Sequence, residues 1–174
     1  MPRQRDLILS IAVSADGFIA TPNGGIDWLP QPREEEDYGH AEFLERIDCV
    51  VVGRNAWEFV SDHDGGDYFS QFDCHVLSRE DIVEGFWMGD GIGYIHELKE
   101  QDGLDIWLVG GGILSGECLE AGIIDEIILT EAPITLGEGL PLFGKYGTIV
   151  PDSWSCVSER KFSDGLIQKT FRPL

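Results

Sequence analysis

DIWLVGGGILSGECLEAGIID, residues 105–125, holds a short apolar run, three consecutive glycines and a helix-compatible segment in that order. Ile106 to Val109 read as a buried strand, because a strand covered on both faces shows a continuous apolar run. Ile113 to Ala121 read as a helix, with Gly122 as its stop and Ile123 as the apolar contact just beyond. Glycines at a strand-to-helix junction leave bare backbone at a helix start, where free N–H groups attract anions. The spacing is GGGxxxG and not GxGxxG, so the dinucleotide fingerprint of Rossmann domains is not present.

Strands and helices alternate outward from this unit. Leu7 to Ser14 and DCVVVG, residues 48–53, read as buried strands, FDCHVLS, 72–78, as another, and 83–88 as a short one. A helix is expected from roughly Arg33 to Arg46, with Phe43, Leu44 and Ile47 on one side. Glu34 to Asp37 would fill its first turn, where the helix dipole favours acids. RNAWEFV reads as a short helix, and Ile92 to about Gln101 as another. Residues 125–134 give a further strand, and segments at about 154–162 and 166–172 flank the hairpin signal SDG. The whole chain, 1–174, reads as an α/β domain with a largely parallel sheet closed by an antiparallel hairpin.

At 174 residues and 43% hydrophobic, the chain suits one domain with a sizeable core. Its 32 acids against 12 bases give a net charge of −20, which argues against a nucleic-acid partner. No apolar run is long enough for a membrane span. Asp6 interrupts an otherwise signal-like start, and a cytoplasmic location is expected. Cys49, Cys74, Cys118 and Cys156 lie far apart, each in or beside an apolar segment, and read as small buried hydrophobes. The loop SDHDGGDY, 61–68, lacks calcium-loop spacing, and no metal is expected.

In open parallel sheets, ligands sit beyond the C-terminal strand ends. Three such ends carry anion-binding chemistry here. Besides Gly110, Gly111 and Gly112, one strand runs into Gly53-Arg54 directly before a helix, and another into Ser78-Arg79. A guanidinium and helix-start N–H groups would hold a phosphate, and a hydroxyl with a guanidinium suits a 2′-phosphate. In a chain with so few bases this points to a dinucleotide, and NADPH fits best. Each arginine could instead pair with a surface acid.

These residues resemble the dihydrofolate-reductase-like superfamily, and most nearly its stand-alone members grouped with the C-terminal reductase domain of the riboflavin-biosynthesis deaminase/reductase. The likeness runs through SADGFIATPNGGIDWL, DYGHAEFLERIDCVVVGRNAWE, VLSR, DIWLVGGGIL, GIIDEIILTEAPITLGEGLPLF and the closing hairpin. It implies a three-layer α/β/α fold with a mostly parallel, eight-stranded mixed sheet, and NADPH as hydride donor. It would place Gly53, Arg54 and Asn55 at the cofactor phosphates and Ser78 and Arg79 at the 2′-phosphate. Gly110, Gly111, Gly112, Ile113 and Leu114 would cradle the pyrophosphate, with Ala12 and Ile19 bordering the nicotinamide.

On the substrate side, the resemblance matches Trp28 to a loop tryptophan, Asp37 to a catalytic carboxylate and Thr130 to a threonine supporting it. Asp16 reads as a turn residue. The resemblance fixes no substrate. No second basic cluster for a ribose phosphate is evident, and IDWLPQPREEED inserts an acidic, proline-broken segment. The chain is expected to be an NADPH-dependent reductase of a small aminopyrimidine or pterin-like heterocycle. The alternative is a non-catalytic nucleotide-binding module. A homodimer is expected, since the hairpin leaves a strand edge to be covered.

Overall fold

A computed structural model describes residues 3–31, 33–64, 67–79, 86–88 and 90–174. Its eight-stranded sheet has the order β5-β4-β3-β6-β1-β7-β10-β9. In chain order the strands are β1 (Leu7–Ser14), β2 (Phe18–Ala20), β3 (Ile47–Gly53), β4 (Asp73–Ser78), β5 (Phe86–Met88), β6 (Asp105–Gly110), β7 (Glu126–Ala132), β8 (Leu140–Pro141), β9 (Trp154–Lys161) and β10 (Ile167–Pro173). The pairs from β5 across to β7 are parallel. β10 is antiparallel to both β7 and β9, which is the closing hairpin. β2 and β8 form a separate two-stranded sheet.

The central strands are continuous apolar runs because helices cover both faces. On one face, Leu7, Leu9, Val51, Ile106, Leu108 and Ile127 pack against Ile95 and Leu98 of α3 (Gly91–Glu100) and Leu114 and Cys118 of α4 (Gly112–Glu120). On the other, Ile8, Val50, Val52 and Trp107 pack against Phe43 of α1 (His40–Leu44), Trp57 and Val60 of α2 (Arg54–Asp64), and Phe69. The layers are therefore α/β/α. Burying each such Leu, Ile or Phe stabilises by roughly 1.5–3 kcal/mol.

Local chemistry sets the helix ends. Asp90 caps α3 by accepting the Gly93 N–H at 3.0 Å. α4 stops in a Schellman turn: Ile123 N–H bonds to Cys118 O and Gly122 N–H to Leu119 O, with Gly122 at φ +67°.

Three expectations are corrected. The helix expected over 33–46 is only His40–Leu44. Arg33 and Glu36 form an isolated bridge, and Tyr38 at φ +57° and Gly39 at φ +77° break helical geometry before His40. Glu34 to Asp37 therefore precede the helix, whose first turn holds only Glu42 as an acid. α2 runs to Asp64, a turn beyond RNAWEFV. Cys49 and Cys118 are buried, but Cys74 is only half-buried and Cys156 is exposed. Of the short strand expected at 83–88, Phe86–Met88 pairs with β4 and 83–85 lie outside the described residues. Among the described residues no helix is long and apolar enough to cross a membrane.

Candidate active site

The sheet register brings two strand ends together. Val52 of β3 pairs with Gly110 of β6, so Gly53 and Gly110 end side by side. A Cβ on Gly53 would lie 3.6 Å from Gly110 O and 3.9 Å from Leu114 Cβ. One on Gly111 would face Ala56 Cβ of α2 at 3.8 Å. The starts of α2 and α4 thus converge on one crevice. Gly111 caps α4 at φ +90° and ψ 120°, without a side-chain cap. Two converging helix starts make a positive, donor-rich end suited to an anion. Ile113 stands 61% exposed beside it, while Leu114 is buried.

The triplet's glycines answer to different demands. A Cβ on Gly112 would sit 2.3 Å from Pro141 O, and one on Gly110 2.8 Å from Ile11 Cδ1. The Gly112 contact is with backbone and Gly110 holds φ +120°, so the fold itself keeps these two small. At Gly111 the space is open.

Both arginines next to the crevice have acidic partners. Arg54 Nε donates to Glu58 Oε1 at 2.8 Å, one helical turn on. Arg79, at the end of β4 beside half-buried Ser78, is ion-paired with Glu117 of α4. Arg79, Glu117, Asp90, Glu120 and Tyr146 line a hollow of about 430 Å³. Asn55 is exposed at the start of α2. The acids next to Arg79 in sequence, Glu80 and Asp81, lie outside the described residues.

A larger cleft, about 710 Å³, runs across the α1 face of the sheet. Its walls include Ala12, Asp37, His40, Trp107, Thr130 and Gln168. Ala12 of β1 pairs in register with Thr130 of β7, which puts the expected nicotinamide and substrate residues on adjacent strands. Ile19, on β2, instead packs against the core of the opposite face. Trp28 is not among the cleft-lining residues; its neighbours Ile26, Leu29 and Pro30 are. The Trp28 indole donates to Gly25 O at 3.3 Å, within its own loop.

Asp37 lies at the cleft rim, exposed. Its two carboxylate oxygens accept the N–H groups of Gly39 and Ala41, both at 2.9 Å. Those bonds, Ala41's first, hold its carboxyl below the usual carboxylate range. Thr130 Oγ1 accepts from Gln168 Nε2 at 3.1 Å, and the same amide donates to Tyr38 O at 3.0 Å. The threonine is thus oriented by Gln168, and Asp37 by its own helix start. Asp16 is a turn residue: it accepts from Ser14 Oγ, Leu136 N and Gly137 N, tying the loop after β1 to the loop after β7.

The cleft also holds residues that sequence reading did not single out. His40 Nε2 bonds Tyr68 Oη at 2.5 Å, and its ring sits edge-on to Trp107. Burial pushes the His40 imidazole below its ordinary value, against the pull of Asp37. Arg46 and Arg172 both pair with buried Glu126 at the far end of the cleft. Arg160 sits 4.9 Å over the Phe162 ring, on the cleft wall. Three arginines, from β9, β10 and the segment before β3, therefore line the cleft, two of them already paired with Glu126.

The family model described as the RibD C-terminal domain matches residues 93–168. The uncharacterized protein YwjB of Bacillus subtilis (strain 168) is 34% identical over 80% of this chain and 83% of its own length. A candidate riboflavin biosynthesis protein of Shewanella sp. PV-4 is 30% identical over 97% of this chain and 99% of that one, with a TM-score of 0.80. Two more distant structures share the fold. One is the diaminohydroxyphosphoribosylaminopyrimidine deaminase/5-amino-6-(5-phosphoribosylamino)uracil reductase of Thermotoga maritima, at 19% identity and TM-score 0.73, covering 98% of this chain and 57% of that one. The other is the dihydrofolate reductase of Enterococcus faecalis, solved with NADP(H), at 18% identity and TM-score 0.67, covering 99% of each chain.

Proposed function

The chain belongs to the RibD C-terminal domain family, and from that premise we propose that it is an NADPH-dependent reductase of an aminopyrimidine or pterin-like heterocycle. The observation that carries this reading is the convergence of the α2 and α4 starts on Gly53 and Gly111, next to the cleft wall of Ala12 and Thr130. Helix-start N–H groups at Gly111 and Gly112 would hold the pyrophosphate. Exposed Ile113 would cover it, and Arg79, now ion-paired with Glu117, would be the cation for the 2′-phosphate. When bound, NADPH supplies a hydride to a C=N carbon, and the nitrogen takes up a proton, leaving a C–H and an N–H bond. Asp37, held ionised, accepts ring N–H or amino groups and orients the heterocycle rather than donating the proton. His40, neutral near pH 7 and bonded to Tyr68, is the group placed to relay a proton from solvent. Trp107 gives the flat substrate an apolar wall, and Arg160 gives the cleft a cation for an anionic substituent.

The test is NADPH oxidation by the purified protein with a panel of dihydropterins and aminopyrimidine ribosylamines. Oxidation that depends on the heterocycle supports the proposal. Tight NADPH binding with no oxidation across the panel favours the non-catalytic module, a reading that Asp37's commitment to its helix start gives some weight. The homodimer stays part of this proposal: β9 is an edge strand with Val157 55% exposed. A monomer mass by light scattering would remove it.

A further inference from the structure

β3 and β4 are parallel neighbours, with Cys49 opposite Asp73 and Val51 opposite His75. Side chains two apart on a strand share a face. Cys49, Asp73 and His75 therefore project from the α3 face near the N-terminal end of the sheet. They offer a sulfur, a carboxylate oxygen and a ring nitrogen that all lie within 4.8 Å of one another. Cys74 points to the opposite face, among the α1- and α2-side core residues.

Two details distinguish this cluster from an ordinary His–Asp pair. His75 Nε2 lies 3.0 Å from Asp73 Oδ2, yet the contact lacks hydrogen-bond alignment, and among the described residues the buried nitrogen has no hydrogen-bond partner. Two donor atoms side by side but not aimed at each other are placed as co-ligands of a common cation. The other ring nitrogen, Nδ1, is 2.8 Å from Tyr94 Oη. In the tautomer with Nδ1–H donating to Tyr94, Nε2 keeps its lone pair, which is the outer-shell arrangement of metal-bound histidines.

We propose that Cys49, Asp73 and His75 form a zinc site that clips β3 to β4, with Tyr94 positioning the histidine. One sulfur, one nitrogen and one oxygen are a zinc-type donor set, whereas calcium and magnesium take oxygen ligands. Zinc–ligand lengths of roughly 2.0–2.3 Å imply tetrahedral ligand separations of roughly 3.3–3.8 Å, so the cluster closes by about 1.5 Å at most. The fourth position opens toward solvent beside Asp73, whose side chain is 69% exposed. Cys49 precedes Gly53 by four residues of strand, roughly 13 Å, so the ion braces the sheet and stays apart from the crevice chemistry.

The test uses the full chain, freed of metal with a chelator and titrated with Co2+ as a spectroscopic probe, then with Zn2+ in thermal unfolding. One Co2+ per chain is expected, with a thiolate-to-cobalt charge-transfer band, and Zn2+ raises Tm because it binds the folded state. Asp73→Asn and His75→Gln each weaken binding by at least ~10-fold, and Tyr94→Phe by ~10–100-fold. Cys49→Ala removes the band, while Cys74→Ser and Cys156→Ser leave it. Should Cys49→Ala fail to fold, the Asp73 and His75 variants decide. Absence of saturable binding at one ion per chain overturns the proposal, and so does binding that Asp73→Asn and His75→Gln leave unchanged.

Discussion

Gly111→Ala separates what the fold asks of the glycine triplet from what a bound cofactor asks. At φ +90° and ψ 120° an L side chain is strained, at a cost of ~1–3 kcal/mol. The added Cβ meets nothing nearer than Ala56 Cβ at 3.8 Å, an ordinary contact, so no clash adds to this. At roughly 2–4 °C per kcal/mol for a chain of this size, Tm should fall by about 2–12 °C. The same methyl projects between the α2 and α4 starts and lifts the pyrophosphate off the backbone. Losing two charge-assisted hydrogen bonds, each ~1.5–3 kcal/mol, weakens NADPH by ~10²–10⁴-fold. Gly112→Ala is the contrast: its Cβ would lie 2.3 Å from Pro141 O and 3.1 Å from Gly144 N, so stability suffers first. The assay is thermal unfolding with and without NADPH, beside direct titration of cofactor fluorescence. A Gly111→Ala protein that loses a few degrees of Tm yet binds NADPH like wild type refutes the reasoning, and the triplet is then only a turn.

Three further outcomes follow from particular contacts. Removing the ion-pair partner of Arg79 by Glu117→Gln should strengthen NADPH by about 10-fold and leave NADH unchanged, while Arg79→Ala should weaken NADPH alone; cofactor titrations of both variants check this. Asp37→Asn removes a charged hydrogen-bond acceptor that orients the heterocycle and should lower turnover by ~10–10²-fold with NADPH affinity intact, read from steady-state kinetics. Because the folded pKa of Asp37 is depressed, its contribution to stability is present above its ordinary value and lost as pH falls through the lower folded one. The variant should therefore lose less stability than wild type in acid unfolding. Burial pushes the thiols of Cys49 and Cys118 up to about 12 and that of Cys74 up to about 11, so a thiol reagent at neutral pH should label exposed Cys156 first, followed by mass spectrometry.

The sheet was legible because parallel strands buried on both faces leave runs such as LILSIAVS and CVVVG. The α4 stop was legible because a Schellman turn needs a glycine at one position and an apolar residue at the next. The segment 33–46 was not, since its acids suit a helix start, and nothing local shows that Tyr38 and Gly39 take positive φ. The crevice could be located from glycines at strand ends. The partners of its arginines could not: Glu117 reaches Arg79 from a helix 38 residues away in sequence. Arg160 and Gln168 enter the cleft through the pairing of β10 with β7 and β9, and Cys49, Asp73 and His75 meet only through β3–β4 register. Pairing and register carry that information, and a single strand's pattern does not.

The most direct measurement is a crystal structure of the protein grown with NADP+. The pyrophosphate should lie against Gly111 and Gly112 between the α2 and α4 starts. The nicotinamide should lie at Ala12 facing the cleft, and Arg79 should turn from Glu117 to the 2′-phosphate. Crystals grown at saturating NADP+ with the crevice empty, or with the nucleotide bound elsewhere on the molecule, would contradict this placement.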